Sequence, residues 1–234
     1  EAAADPKAVA DEIVRIHERY GVKAFSNWDP NVMLRTDALS IFLDEMIERG
    51  SPVDLKFEMG VQPDRLDAAI AEKMRQAGTV SMTIPFESAD PKMARRFGKP
   101  YRVDDPVRAV RMCRDLGFST GSFHCTWVIG VRGEGWRHIF GTWLSVLEAG
   151  GLPTPFPLTL TPGTREYDLH QEQVQGKDLS ELNGHLWPTL PSFEATRVYD
   201  LVLQIVSQPD LEKGRALAQR LPPKALKAFE CEVG

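Results

Sequence analysis

The chain has 234 residues and a formal net charge of −5; 42% of its residues are hydrophobic and 26% are charged. This is the composition of a folded protein with one domain of ordinary to large size. The acidic balance gives no electrostatic footprint for a nucleic acid. No apolar run approaches the roughly 20 residues that span a bilayer, and no signal-peptide pattern is visible. We therefore expect neither a nucleic acid nor a membrane as a partner.

The sequence contains three cysteines, Cys113, Cys125 and Cys231, and no pair of them has CxxC spacing. This usage is typical of a reducing compartment and argues against a disulfide framework. It predicts a cytoplasmic location. It also means that no metal or cluster site is visible among the cysteines of this chain.

Helical and strand patterns alternate along the first 164 residues. A helix over 8–20 follows Asp5-Pro6, a favourable N-cap and first-turn pair. The predicted elements that follow, in chain order, are strand 22–29, helix 34–49, strand 53–60, helix 64–77, strand 80–88, helices 91–97 and 105–116, a strand within 118–130, helix 136–149 and strand 156–161.

A glycine closes each long helix shortly before the next strand begins, at Gly21, Gly50, Gly78, Gly117 and Gly150. Such glycines suit the left-handed conformation in which helices commonly end. A βα unit of roughly 30 residues explains the period and predicts a parallel sheet with helices outside it. The chain opens with a helix where such a repeat opens with a strand, so we expect it to be cut just after its first strand and loop.

The regular pattern fades beyond residue 164. Residues 165–192 are polar and loop-like, a helix follows over 194–206, and another over 210–229 is interrupted at Pro222-Pro223. We predict a barrel over 1–164, and an appendage of loops and helices over 165–234 that packs on the barrel.

The predicted strands are apolar on one face and polar on the other. In strand 80–88 the apolar set is Val80, Met82, Ile84 and Phe86, and strand 53–60 likewise presents Met59 with its apolar face. The apolar faces should meet the helices. The polar faces should then line an interior with Asn27, Asp29, Lys56, Glu58, Thr83, Glu87, His124, Thr126, Thr159 and Thr161.

A closed eight-stranded barrel fills its interior mainly with branched aliphatic side chains. A polar interior instead suits an incomplete, splayed barrel around a polar ligand. The alternative is that some of these strands lie at edges and have a solvated face. Sites in such folds form at the C-terminal strand ends, which here are Asp29, Gly60, Glu87-Ser88, Gly130 and Pro162-Gly163.

The stretch 9–170 resembles the radical S-adenosylmethionine (radical SAM) superfamily, most closely the branch that often carries a cobalamin-binding domain. The matching pieces are ADEIVRIHERYGVKAFSNWDPNV, AAIAEKMRQAGTVSMTIPFESADPKMARRFGKPYRVDDPVRAVRMCRDLGF, FHCTWVIGVRGEGWRHI and TLTPGTREYDLH. The resemblance implies an α/β fold, a partial and splayed (β/α)6 TIM-like barrel that here lacks its first strand. In the family, a reduced [4Fe–4S] cluster cleaves S-adenosylmethionine to a 5′-deoxyadenosyl radical, and some members transfer methyl groups through cobalamin.

The resemblance also implies roles for individual residues. Glu87 and Ser88 would contact the methionine or ribose portion of S-adenosylmethionine, and Ile129 and Gly130 would border its adenine. Further cofactor contacts would come from other strand ends, and the polar strand faces themselves suggest two substrate contacts. These are Asp29, Thr161 and Gly163 for the cofactor, and Glu58 and His124 for a small-molecule substrate. A flavodoxin or a ferredoxin would supply the electron.

The family's three-cysteine motif, which holds the cluster, is absent from this sequence, and none of the three cysteines replaces it. MGVQP, at 59–63, stands where family members often have an arginine before the valine. The chain alone should therefore not perform the radical chemistry. A cluster-less barrel that acts as a small-molecule binding module is the alternative, and an aldolase-type barrel with Lys56 as a Schiff-base amine is a third.

Several of these residues also have plainer interpretations. Glu87 would otherwise be an exposed loop carboxylate near a helix start at Asp90-Pro91, and His124 a hydrogen-bonded strand residue. The basic run 92–99 is typical of a solvated helix end. The remaining histidines show no ligand spacing and should be solvated; they are His17, His138, His170 and His185.

Overall fold

A computed structural model describes residues 4–182, 187, 189–190 and 192–234. His185, Gly184, Pro188 and Pro191, which the sequence places in the loop-like region, lie outside the described residues. The strands are β1 Ala24–Asn27, β2 Asp54–Phe57, β3 Thr79–Pro85, β4 Phe123–Ile129 and β5 Leu152–Pro157. The helices are α1 Pro6–Tyr20, α2 Thr36–Glu48, α3 Ala68–Gln76, α4 Pro91–Arg96, α5 Asp105–Asp115, α6 Trp136–Ala149, α7 Arg165–Leu169, α8 Gln171–Val174, α9 Phe193–Val206, α10 Leu211–Ala218 and α11 Pro223–Val233.

The five strands form one open sheet in the order β1-β2-β3-β4-β5. The pairs β1–β2 and β2–β3 are parallel, with Phe25 opposite Leu55 and Phe57 opposite Met82. Consecutive parallel strands need a crossover, and here a helix supplies it between each pair. The predicted fold class, an α/β protein with a parallel sheet, is confirmed.

The ladder between β2 and β3 contains an irregularity that overturns one prediction. Leu55 lies opposite Thr79, but the next residue, Lys56, lies opposite Ser81. Val80 is thus an extra residue, and one extra residue reverses the face to which the preceding residues point. Thr79 is buried, whereas Val80 is 40% exposed, so the prediction of an unbroken apolar face from Val80 to Phe86 was wrong at its first residue.

Other boundaries also differ from the sequence predictions. The fifth strand was placed over 156–161 but runs from Leu152 to Pro157, so Thr159 and Thr161 follow it. Strand β2 ends at Phe57, which leaves Met59 45% exposed in the following loop. Ala24, at the start of the edge strand β1, is exposed. Within 165–182, predicted as loop, two short α-helices and a 3-10 helix form. The first of them begins where Thr164 Oγ1 accepts the Tyr167 N–H at 3.3 Å.

The structure contains two compact units, which interleave along the chain. The first comprises the described residues up to Pro85 with Pro100–Cys125 and Ala149–Leu152. In it α2 packs against α1 and α3, and α5 against α3 and β3. Its core is formed by fully or nearly fully buried side chains, among them Met33, Leu43, Met46, Leu55, Phe57, Met74, Met82, Ile84, Val110 and Phe123.

The second unit comprises Phe86–Lys99, Thr126–Glu148 and the described residues from Pro153 onward. Phe140 and Phe229 pack edge to face with ring centroids 5.1 Å apart. Trp143 is fully buried, and its indole N–H donates to the Gln208 carbonyl at 2.9 Å. Pro222-Pro223 separates α10 from α11, as the sequence predicts. The predicted domain boundary at residue 164 stays a prediction.

Among the described residues no helix combines the length and the apolar character that a bilayer crossing demands.

Candidate functional site

Glu87 lies in a tight turn directly after β3. Its φ is +59°, a left-handed value that is uncommon for a residue with a side chain. The Phe86 N–H donates to the Thr126 carbonyl of β4 at 2.8 Å, and the Ser88 N–H donates back to the Phe86 carbonyl at 2.7 Å. This i→i+2 bond closes a three-residue turn around Glu87. Holding a residue with a side chain in this conformation costs about 1–3 kcal/mol of free energy, and such backbone strain concentrates at binding sites.

Glu87 and Ser88 are also buried, with 8% and 2% of their surface exposed. The Ser88 hydroxyl accepts the Asp90 N–H at 3.1 Å, and Asp90 in turn accepts the Met93 N–H at 2.8 Å as the N-cap of α4. The Ala89 N–H donates to Thr142 Oγ1 of α6 at 3.0 Å. Backbone and side-chain bonds therefore fix the turn from both sides, and the interpretation of Glu87 as an exposed loop carboxylate is wrong.

Lys99 supplies the charge opposite Glu87. Its Nζ lies 2.9 Å from Glu87 Oε1, and 42% of the lysine side chain is exposed against 11% of the glutamate side chain. The buried carboxylate is thus paired with a lysine whose flexible stem reaches in from the solvent side. The basic run 92–99, predicted to be a solvated helix end, contains the partner of the predicted cofactor-binding residue.

The end of β4 is organised around Gly130. Its φ is +90°, and a Cβ there would lie 2.8 Å from Cζ3 of Trp187, so only glycine fits under that ring. The Gly130 N–H donates to Glu134 Oε2 at 2.7 Å. Ile129, the other predicted adenine neighbour, is fully buried, and its carbonyl accepts the Leu158 N–H at 2.8 Å.

Glu134 is a half-buried residue whose carboxyl group is largely shielded from water. Burial raises the pKa of this carboxyl to about 7, against the opposing effect of hydrogen bonds from the Gly130 and Val131 backbone N–H groups. The pKa of Tyr199 is raised too, first by burial and then by the nearby Glu134 charge. The Tyr199 ring packs against those of Trp136 and Trp187, at 4.5 and 4.9 Å between centroids.

The segment after β5 carries the remaining predicted residues of this unit. Thr161 and Gly163 are exposed, and the Thr161 carbonyl accepts from the Thr164 hydroxyl at 2.7 Å. His170, predicted to be solvated, is 6% exposed, and its Nδ1 lies 2.8 Å from the Glu166 carbonyl oxygen. Glu166 Oε1 lies 3.5 Å from Arg96 of α4. The His170 ring is therefore buried and hydrogen-bonded, and the prediction that it is solvated is wrong.

Asp29, Glu58 and His124 belong to the first unit. Asp29 is exposed, and its Oδ1 accepts the Asn31 N–H at 2.8 Å in a local turn. Glu58 is exposed as well and accepts from the Ser26 hydroxyl at 2.7 Å. His124 is half-buried on β4. A groove of about 690 Å³ opens beside β1 in this unit, and Asp29, Lys56 and Phe25 are among the residues that line it.

The three cysteines do not fit an iron–sulfur cluster. Cys113 and Cys125 are fully buried, and burial raises the pKa of the Cys113 thiol to about 12 and that of the Cys125 thiol further still. Cys231 is exposed near the end of α11. Thiolates are the ligands of such clusters, and the buried thiols of Cys113 and Cys125 resist ionisation. Within the described ranges no group of three or more His, Cys, Asp or Glu side chains is placed to hold a metal ion.

The structure thus brings Glu87, Ser88 and the Thr126 carbonyl of β4 together, whereas Asp29, Glu58 and His124 belong to the first unit. Sequence reasoning missed Lys99 and Glu134. A carboxylate four residues after a strand-end glycine was a usable signal for Glu134. Nothing in the sequence distinguished Lys99 from the other basic residues of 92–99.

Comparisons with known proteins find a family that this chain matches and individual proteins to which it is similar. The model of the radical SAM superfamily matches residues 2–142. An anaerobic magnesium-protoporphyrin IX monomethyl ester cyclase from Cereibacter sphaeroides is 27% identical over 187 residues, which are 76% of this chain and 29% of the cyclase.

Two solved structures share the fold at a TM-score of 0.61. Both are of TsrM from Kitasatospora setae, a radical S-adenosylmethionine methyltransferase; in one it binds tryptophan and the analogue aza-SAM, in the other cobalamin and a [4Fe–4S] cluster. They are 18% and 19% identical and cover 72% and 74% of this chain. The chain spans about a third of the length of the relatives it matches, with 29% to 33% of each covered.

Proposed function

This chain belongs to the radical SAM superfamily, and from that premise we propose that it binds S-adenosylmethionine within a radical SAM enzyme of the cobalamin-dependent kind. The relatives support this assignment, since TsrM has been seen with cobalamin, a [4Fe–4S] cluster and aza-SAM. A small-molecule substrate, and an electron donor of the flavodoxin or ferredoxin type, are proposals for the whole enzyme.

One observation carries the proposal for this chain: the buried carboxylate of Glu87 in a strained turn at the C-terminal end of β3. In parallel α/β folds this end of the strands is where ligands bind. S-adenosylmethionine offers an ammonium group, a sulfonium and ribose hydroxyls, all of which a carboxylate attracts or accepts hydrogen bonds from. We propose that Glu87 takes one of these groups and that the turn at Ser88 orients it.

The part of this chain in the reaction is to bind and orient the ligand. Its cysteines do not fit a [4Fe–4S] cluster, so we assign no step of the cleavage itself to these residues. In the whole enzyme, a reduced [4Fe–4S] cluster would supply the electron for that cleavage. The residues around Glu87 and Gly130 would shield and hold the ligand.

Equilibrium dialysis with labelled S-adenosylmethionine tests the proposal on this chain directly. Glu87→Gln removes the charge but keeps the shape, and loss of a charged hydrogen bond is worth about 1.5–3 kcal/mol, or at least a ten-fold weaker affinity. Glu148→Gln, at an exposed glutamate of α6, is the matched control and should bind as the unaltered chain does. Equal affinities for the Glu87→Gln variant and the unaltered chain would contradict the proposal.

A second candidate, a binding module without radical chemistry, is favoured by the mismatch between the three cysteines and a cluster. Both candidates expect ligand binding at Glu87, but they differ in the gene. Coding sequence in frame upstream of Glu1 that carries three cysteines spaced three and two residues apart supports the enzyme. A start codon directly upstream of Glu1 supports the binding module.

A further inference from the structure

The ammonium of Lys99 lies against the Glu87 carboxylate. Its Nζ lies 2.9 Å from Glu87 Oε1, a distance typical of a charge-assisted hydrogen bond. The carboxylate belongs to a buried residue in a turn that backbone bonds to Thr126 and Phe86 hold in place. A cation that binds this carboxylate therefore meets a site that already contains one.

The two partners differ in how easily each moves. Glu87 is fixed by its turn, and 11% of its side chain is exposed, whereas 42% of the Lys99 side chain is exposed. Lys99 follows Gly98, whose φ is +64° and around which a Cβ would meet nothing within 4 Å. A lysine ammonium on a four-carbon stem that is half in solvent regains full hydration when it leaves, whereas the carboxylate has no such route.

Resting on the proposed function, we infer that Lys99 is an internal competitor for the cationic part of S-adenosylmethionine at Glu87. The lysine neutralises the buried carboxylate while the site holds no ligand, and it leaves when an ammonium or sulfonium arrives. Ligand affinity at this site is therefore reduced by the free energy of the Lys99–Glu87 pair, and it rises when that pair is weakened. Added salt weakens both the Lys99–Glu87 pair and the pair between the ligand and Glu87. The Lys99–Glu87 pair therefore reduces the dependence of ligand binding on salt.

The test uses equilibrium dialysis to measure the affinity of three adenosyl ligands for the unaltered chain and for the Lys99→Met variant. S-adenosylmethionine carries an ammonium and a sulfonium, S-adenosylhomocysteine an ammonium only, and methylthioadenosine neither. Lys99→Met keeps most of the stem and removes the charge. It should tighten binding of the two cationic ligands about two- to five-fold, the range of a partly exposed ion pair. Methylthioadenosine should bind both proteins equally.

Two further variants separate this inference from its competitors. Lys92→Met, at an exposed lysine of α4, should leave all three affinities unchanged. In the Glu87→Gln background, Lys99→Met should leave ligand affinity unchanged, because Lys99 then has no carboxylate to pair with. If Lys99→Met also tightened the binding of methylthioadenosine, Lys99 would act by steric obstruction and not by its charge, and the inference would be overturned.

Weaker binding of the cationic ligands to Lys99→Met would also overturn it, since Lys99 would then contact the ligand's carboxylate. That result leaves the proposed function intact, provided that binding still depends on Glu87. Absence of Glu87-dependent binding in the unaltered chain and in both lysine variants contradicts the proposed function itself, and the inference with it.

Discussion

Replacing Glu134 with glutamine should change how the stability of this protein depends on pH. The carboxyl of Glu134 accepts the Gly130 N–H at 2.7 Å, and burial lifts its pKa from about 4.5 to about 7. Glutamine retains an oxygen to accept that hydrogen bond but carries no titrating proton. The variant therefore removes the titration and leaves the turn after β4 with its closing bond.

The sign of the effect follows from proton linkage. Because the folded pKa lies above the unfolded one, the folded state holds a proton between pH 4.5 and 7 that the unfolded state has released. The free energy of unfolding therefore falls as pH rises through this window and levels off above it. At 1.36 kcal/mol per pH unit, the loss between the two plateaus is about 3 kcal/mol.

Urea unfolding from pH 4 to 8.5, followed by tryptophan fluorescence, measures this dependence. The difference in unfolding free energy between the unaltered chain and Glu134→Gln should change by about 3 kcal/mol in favour of the variant as pH rises. The remaining carboxyls cancel in this difference, and Glu148→Gln, at an exposed glutamate of the next helix, should give a parallel curve. A second readout is the phenol of Tyr199, whose pKa should fall once the Glu134 charge is gone. Parallel curves for Glu134→Gln would refute the assignment of a shielded carboxyl.

Two further predictions concern packing and thiol chemistry. Gly78→Ala should destabilise the protein by about 2–5 kcal/mol in the same urea assay, because φ there is +86° and the new Cβ would lie 2.8 Å from the Val53 carbonyl oxygen. Gly50→Ala, at φ +77° with open space around the Cβ, should cost only the backbone part of about 1–2 kcal/mol; equal losses at the two glycines would contradict the clash. A maleimide should label Cys231 alone in the folded protein and all three cysteines in denaturant, since the other two thiols are fully buried. Rapid labelling of a second thiol in the folded state would show that the burial is misassigned.

Local signals in the sequence predicted the order and type of the main elements. Asp5-Pro6 marks the start of α1, where the Asp5 side chain accepts the Lys7 N–H at 3.1 Å. Gly21 ends the same helix at φ +70°. Both depend on residues adjacent in sequence, so local chemistry determines them. Strand β4 alternates as predicted, since Phe123, Cys125, Trp127 and Ile129 are all buried and the residues between them are half-buried.

Predictions were wrong where distant pairing changes the local pattern. The extra residue at Val80 depends on how β3 aligns with β2, and periodicity within β3 contains no information about that alignment. His170 resembled a solvated histidine because its burial depends on the side chains that pack around it, and the pattern of neighbouring residues does not reveal them. The sequence placed β5 too late in the chain, because the alternation of apolar residues continues to Leu158 and Leu160, which follow the last residue of the strand.

The sequence by itself determined the repeating α/β architecture, the family resemblance and the candidate position of Glu87, because helix caps, strand alternation and motif order are properties of neighbouring residues. Tertiary structure alone decided what surrounds that carboxylate. The burial of Glu87, its left-handed turn and its pairing with Lys99 arise because β4 and the end of α4 converge on one point. The same holds for Glu134, whose proton affinity depends on the water excluded around it by residues that lie far along the chain. Electrostatics depend on distance and dielectric environment, and neither is fixed until the chain has folded.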